Sequence, residues 1–321
     1  MKCSYHPAYQ AERPAGFPMS RTSKMSKHPL LKERLLAEGV LAPGDILEPE
    51  MIGLDTAALV HERGYLEKMQ SGDLSTAEQR RLGLSWSEAL WRRSRLASGG
   101  TLLAARAALD GGMAGNLAGG GHHAFPDHGE GFCILNDVAI AVSKLRAEGA
   151  IARAVIIDLD VHQGNGTAAI FETVPEVFTF SMHGERNYPL AKMRSTLDVA
   201  LPDGTDDAAY LDVLRRHLPS VLERSDADIA FYLAGVDVAQ GDRFGKLALT
   251  EDGIRCRDHL VVDTVRDRGV PLVIVLAGGY AATPGRTAEL HAHAFREAVH
   301  YERGRPRGSR IRRPPSTPSA C

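Results

Sequence analysis

In the run AVIIDLDVHQGNGT, Ala154 to Thr167, two carboxylates and an imidazole recur at every second position: Asp158, Asp160 and His162. Around them stand Val155, Ile156, Ile157, Leu159 and Val161, the β-branched and aliphatic composition of a core strand. Side chains along a strand alternate between its faces, so the three polar residues are expected on one side. Two acids beside an imidazole are costly to bury uncompensated, and a cation is the obvious compensation. Asp160 and His162, joined by Asp237 from AGVDVAQGDR, offer two carboxylate oxygens and an imidazole nitrogen. That donor set suits Zn2+, or Fe2+, and leaves coordination positions open for hydrolysis. Taken singly, each acid reads as well as a helix or turn cap, and His162 as a core histidine. Their joint placement at a sheet end is what points to metal.

A second cluster is GGGHHAFPDHGEGFCILND, Gly119 to Asp137. Its glycines let the backbone turn sharply and approach a substrate. Adjacent histidines project in different directions, so His122 and His123 are free to do different jobs. A general base must reach the attacking water and be tuned by a partner. Asp158 is a suitable partner for one imidazole and Asn165 for the other. No G-x-G-x-x-G follows a strand here, which sets a dinucleotide loop aside. Tyr280, in LAGGY, places a phenolic hydroxyl where it can donate to an oxyanion. Cys133 lies inside the second cluster, and its simplest reading is a small buried hydrophobe.

These residues need elements to hold them. Apolar runs at AGNLAGG, ARAVIIDLDVH, EVFTFSMH, DIAFYLAGVD and PLVIVLAGGY read as strands. HPLLKERLLAEGVL, TAALVHERGYLEKMQSG, SEALWRRSRLASGGTLLAARAALDGG, DVAIAVSKLRAEG and AAYLDVLRRHLPSVLERS read as helices. Strands alternating with helices predict an α/β fold with a mostly parallel sheet covered on both faces. His122 and His123 follow the first strand, Asp158, Asp160 and His162 end the second, and His183, Asp237 and Tyr280 end the next three. Ligands of open α/β sheets bind outside the carboxyl ends of the strands.

The 321 residues are 44% hydrophobic and 24% charged, with a formal net charge of −2. This balance gives no global attraction to nucleic acid or membrane. No apolar stretch is long enough to span a bilayer, and MKCSYHPAYQAERPAGF lacks the apolar core of a secretory signal. Cys3, Cys133, Cys256 and Cys321 stand far apart, which fits a reducing cytoplasm. Residues 1–27 are expected to be irregular, 28–301 to form the catalytic domain, and the Arg-, Pro- and Ser-rich residues 302–321 to be a disordered basic tail.

From about His28 to Val299 the chain resembles the zinc-dependent histone deacetylase superfamily, its bacterial members above all. The likeness rests on SGGTLLAARAAL, NLAGGGHHAFPDHGEGFCILNDVAIA, VIIDLDVHQGNGT, FTFSMHGERNYP, LAGVDVAQGDRFGKLALTEDGI and LAGGY. Gln163, where many members carry a second His, resembles the class IV branch. The resemblance implies the arginase-deacetylase fold, with a parallel sheet of about eight strands flanked by helices. It implies zinc on Asp160, His162 and Asp237, and His123 as the main general base, held by Asn165. His122 becomes the electrostatic or acid partner, paired with Asp158, and Tyr280 the oxyanion donor. Phe132 and Tyr188 become the aromatic walls of an acyl-lysine channel that also includes Gly131 and Gly278. A K+ site would involve Asp158, Asp160, His162, Ser181 and Met182, mostly through backbone oxygens.

The implied activity is hydrolysis of an N-acyl amide, either acetyl-lysine in a protein or an acetylated small amine. The acidic rim residue that orients a peptide in many members has no counterpart near LGLSWSEALW, which favours a smaller substrate. SRTSKMS, after Phe17-Pro18-Met19, marks either an insertion or a start at Met25. Two rival readings are an arginase-like ureohydrolase with two manganese ions and a non-catalytic acyl-lysine-binding protein. The first needs further bridging carboxylates, whereas Gln163, Gly164 and Asn165 follow His162. Acyl chain length and oligomeric state leave no signature.

Overall fold

The computed structural model describes residues 1–10 and 27–304. Its strands are β1 (Lys2–Ser4), β2 (Ile46–Leu47), β3 (Met113–Asn116), β4 (Ala154–Asp158), β5 (Val177–Gly184), β6 (Leu197–Leu201), β7 (Ile229–Leu233) and β8 (Leu272–Val275). They form one sheet in the order β2-β1-β3-β8-β7-β4-β5-β6, every pairing parallel. The helices are α1 (Lys27–Ala37), α2 (Leu54–Ala57), α3 (Arg63–Ser71), α4 (Thr76–Leu82) and α5 (Glu88–Gly111), then α6 (Asp137–Ala147), α7 (Asn165–Phe171), α8 (Asp207–Ser225), α9 (Glu251–Asp267) and α10 (Pro284–Arg303). None of these is long and apolar enough to cross a membrane.

Strand alternation builds the layers. Val155 and Ile157 of β4 join one core cluster, with Leu31 and Leu35 of α1, Leu214 of α8, Val261 of α9 and Phe295 of α10. Ala154 and Ile156 join another, with Ala104 and Ala108 of α5 and Val138 and Val142 of α6. Each cluster coats one face of the sheet, so the apolar strands are buried on both sides, as the uninterrupted aliphatic runs predict. Ser87 caps α5 by accepting from Leu90 N, and Gly112, at φ 90°, closes it.

The structure corrects several expectations. The first residues are not irregular throughout: β1 lies between β2 and β3 with Cys3 fully buried. A strand of three residues is too short to show a periodicity. β6 was hidden for another reason. It is an edge strand with alternating exposure rather than a continuous apolar run. The helix expected from Thr56 to Gly72 is broken into α2 and α3. Between them Glu62 N donates to Pro126 O, and His61 is buried against Phe125 O and Asn136 N. These tertiary bonds pull the backbone out of helical register. At the other end, α10 includes residues 302 and 303 of the expected tail. Gly304 follows as its C-cap, and residues 305–321 and SRTSKMS lie outside the described residues.

Candidate active site

Four neighbouring strands, β3, β8, β7 and β4, deliver the chemistry at their carboxyl ends. His122 and His123 follow β3, Gly278 and Tyr280 follow β8, Asp237 follows β7, and Asp158 ends β4, with Asp160 and His162 just beyond. The β ladder stops at Asp158, yet alternation continues. Leu159 and Val161 still pack in the cluster of Val155 and Ile157, leaving the acids and His162 to turn the other way.

Asp160, His162 and Asp237 are all buried and form the one group of three metal-capable side chains among the described residues, with donor atoms within 4.8 Å of one another. His162 Nδ1 lies 3.0 Å from Asp160 Oδ1 and 3.2 Å from Asp237 Oδ2. The remaining carboxylate oxygens pin the loops: Asp160 Oδ2 accepts from Gly278 N at 2.6 Å, and Asp237 Oδ1 from Val161 N at 3.0 Å. Beyond its ion-pair contact with His162, the buried Asp237 Oδ2 has no hydrogen-bond partner. A Cβ on Gly278 would stand 1.9 Å from that atom, so only glycine lets the β8 loop pass. An orphaned carboxylate oxygen, a second acid and an imidazole converging in a dry place fit a divalent cation. The electrostatics agree. Burial disfavours the charged form of His162, but Asp160 and Asp237 overcome it and push its pKa up to about 10. Asp237 is raised to about 6 by burial and by the charge of Asp160. The site demands positive charge at its centre.

The paired histidines are held differently. His122 Nδ1 is 2.7 Å from Asp158 Oδ2, and His123 Nδ1 is 2.6 Å from Asn165 Oδ1. Their rings lie 4.1 Å apart, with that of His123 5.9 Å from His162. Burial works against a charge on either, but Asp158 and Asp160 outweigh it at His122 and push its pKa up to about 9. At His123 burial prevails, aided by the positive charge of His122 and His162, and the pKa falls well below the ordinary value. Their surroundings thus push the two buried imidazoles in opposite directions, the separation expected of distinct acid and base roles.

A cavity of about 460 Å3 opens on these groups, lined by His122, His123, Gly131, Phe132, Asp160, His162, Gly278 and Tyr280 among others. Phe132 holds a left-handed backbone at φ 69°, unusual for a bulky residue, and is fixed by donation from its N–H to Leu82 O at 2.8 Å. Tyr280 packs edge-on against Phe244 at 4.8 Å, and its N–H donates to Asp242. Tyr188 stands next to the paired histidines and His162, its ring centroid 6.4 Å from that of His162. Its ring is edge-on to His123 at 5.0 Å, and its hydroxyl donates to Glu130. Of the residues in the expected K+ site, Ser181 pairs with Asp158 across β4 and β5, and its Oγ is 3.0 Å from His183 Nδ1; Met182 is fully buried.

Several supporting residues escaped the sequence reading. Asp137 accepts from Gly120 N, Gly121 N and Thr101 Oγ1, fixing the loop of the paired histidines. Asp242 accepts from Phe244 N, Gly245 N and Tyr280 N, tying the β7 and β8 loops together. Glu130 accepts from Asn165 Nδ2 and from Tyr188. Gln163 donates to Met193 O and Asp198 Oδ1 and is therefore engaged away from the metal group. Asp137 and Glu130 sit inside the quoted histidine cluster and Asp242 inside AGVDVAQGDR, but a carboxylate that satisfies backbone amides has no sequence pattern of its own.

Comparison with known proteins agrees with this geometry. The chain is 47% identical over 277 residues to an uncharacterized protein of Picosynechococcus sp., covering 86% of this chain and 91% of that one. It is 30% identical to histone deacetylase 2 of Arabidopsis thaliana over 261 residues, 78% of this chain and 67% of the relative. The crystal structure of an acetylpolyamine aminohydrolase from Burkholderia pseudomallei superposes with a TM-score of 0.73 at 25% identity, covering 93% of this chain and 98% of that one. Residues 20–296 match the histone deacetylase domain. With a buried metal-binding group at the carboxyl ends of a parallel sheet, the chain belongs to the histone deacetylase family and is an amidohydrolase acting on acyl amides.

Proposed function

We propose that the chain removes the acyl group from an acylated amine, using one Zn2+ on Asp160, His162 and Asp237, with Fe2+ an alternative for the same donors. The observation that carries this reading is the convergence of those three side chains beside His123, with Asp237 Oδ2 left without a hydrogen-bond partner beyond its contact with His162. The ion, when bound, polarises the acyl carbonyl and acidifies water. His123 donates its Nδ1–H to Asn165, which leaves Nε2 to take a proton from the attacking water. His122, kept as imidazolium by Asp158, supplies positive charge near the reacting carbonyl. Tyr280 donates a hydrogen bond to the carbonyl oxygen as it gains charge. The proton acquired by His123 then passes to the leaving nitrogen, giving a carboxylate and a free amine.

Gly131, Phe132 and Gly278 would line the path of the acyl-amine stem, with Tyr188 at its rim. The substrate is either acyl-lysine in a peptide or a smaller acylated amine. The relative named for acetylpolyamine and the apolar Leu84 and Leu90 on the cavity wall support the smaller class. Juxtaposed Asp158 and Ser181 support a K+ beside the zinc, drawing also on Asp160, His162 and Met182. The unbridged Cys3, Cys133 and Cys256 support a reducing, cytoplasmic setting. Neither nucleic acid nor membrane enters this reading. The test is a turnover screen over acyl-lysine peptides and acylated small amines, with the metal content of the same sample measured. One Zn2+ per chain with release of free carboxylate is expected. Two Mn2+ per chain with urea formation from a guanidine substrate, or tight acyl-lysine binding without turnover in metal-replete protein, would overturn the reading.

A further inference from the structure

We infer that Glu130 is a positioning residue that sets the tautomer of the proposed base His123 by fixing which way the Asn165 amide faces. This rests on the hydrolytic reading above for its consequence in catalysis, though not for its geometry. Glu130 lies between two glycines, Gly129 and Gly131, and its side chain is only 17% exposed. Its backbone is clamped by Cys133 in both directions, Glu130 N donating to Cys133 O at 3.1 Å and Cys133 N to Glu130 O at 2.8 Å. The carboxylate is therefore held in place. Oε1 accepts from Asn165 Nδ2 at 2.8 Å and from the Tyr188 hydroxyl, and Oε2 is 3.3 Å from His128 Nε2.

An asparagine amide is nearly symmetric in shape and fits a site in two orientations, one presenting its oxygen and one its NH2. A carboxylate only accepts hydrogen bonds, so Glu130 must face the NH2 of Asn165. The Asn165 oxygen is then the atom turned to His123 Nδ1, at 2.6 Å. An acceptor at that distance requires Nδ1 to carry the proton, which leaves Nε2 with its lone pair. With the amide turned over, an NH2 would meet Nδ1 and select the other tautomer, whose Nε2 is already protonated and takes no further proton. Glu130 therefore makes His123 a base through an intermediary. By holding Tyr188, which is 40% exposed yet edge-on to His123, it also keeps the imidazole ring covered.

The experiment combines kinetics with 15N-histidine NMR of the full-length protein, with and without added Zn2+. In the wild type His123 should appear as the Nδ1–H tautomer. Glu130→Ala should show a substantial Nε2–H population and lose about 10–100-fold in kcat, part of the roughly 10²–10⁴-fold that a general base contributes, with KM changed far less. Glu130→Gln still offers a carbonyl oxygen to Asn165, so the tautomer and part of kcat should be rescued, and this variant also serves if Glu130→Ala does not fold. Unchanged tautomers in the variants, with kcat within twofold of wild type, would overturn the inference. A wild type that shows the Nδ1–H tautomer but turns over no acyl amide would instead defeat the functional reading while leaving the tautomer assignment standing.

Discussion

At Tyr280 the difference between a hydroxyl and a hydrogen should separate chemistry from architecture. The ring is held by Phe244 and the backbone by Asp242, and neither contact uses the phenolic oxygen. Tyr280→Phe should therefore keep its metal while kcat falls on the order of 10²–10³-fold, the usual cost of losing an oxyanion donor. Steady-state kinetics with metal analysis of the same sample checks both halves, and wild-type turnover would remove Tyr280 from the mechanism. Asp237→Asn acts on the other side of that division. It replaces the orphaned Oδ2 or the oxygen that accepts from Val161, so purified protein should hold substoichiometric metal and show little turnover. Elemental analysis measures this directly.

The elements around the site are tied down by buried groups whose protonation matters. His61, between α2 and α3, accepts from Asn136 N and lies 2.8 Å from Phe125 O. Burial lowers its pKa to about 4 despite the backbone carbonyls of Phe125 and Pro126, which favour the charged ring. Being depressed below the unfolded value, its contribution is complete above pH 6.5 and is lost as pH falls towards 4, because the unfolded chain binds the proton first. Between pH 7 and pH 5 the wild type should lose about 2 kcal/mol through this group, a slope absent from His61→Gln, as urea titrations at both values would show. The loop after β3 gives a steric counterpart. Gly120 has φ 89°, and a Cβ there would come within 2.5 Å of the Ala277 backbone. Gly120→Ala should push the β3 and β8 loops apart, lowering the urea midpoint and kcat together.

Over the whole molecule, the metal group sits where four strands from different parts of the chain end side by side, so its integrity is coupled to global folding. A cation that binds only the folded chain stabilises it by about 2.7 kcal/mol at a free concentration 100 times its dissociation constant. For a chain of this size that is a rise of several degrees in melting temperature, which a chelator should reverse. Calorimetry with Zn2+ and then with chelator would test it. A melting temperature indifferent to both would argue against a metal at Asp160, His162 and Asp237.

How much of this was legible depended on the range of the interaction. DLDVH announced itself because acids at alternate positions in an aliphatic run break a local rule, and the alternation that sends Val155 and Ile157 into the core turns Asp158, Asp160 and His162 away from it. The strands that carry the site and the parallel sheet likewise followed from composition and period, which are properties of neighbours in sequence. Three other things had no such trace: the three-residue β1, the break at His61, and the carboxylates of Glu130, Asp137 and Asp242 that orient the site. Each owes its place to partners distant in sequence, such as Asn165, 35 residues beyond Glu130, or Asn136, 75 beyond His61. Side-chain chemistry and spacing by themselves determined that a metal-binding group and two histidines would meet at a sheet end. Only tertiary packing decided which buried groups stay charged, which way an amide faces and how closely the loops approach, because desolvation and hydrogen-bond partnership arise when distant segments close around a site.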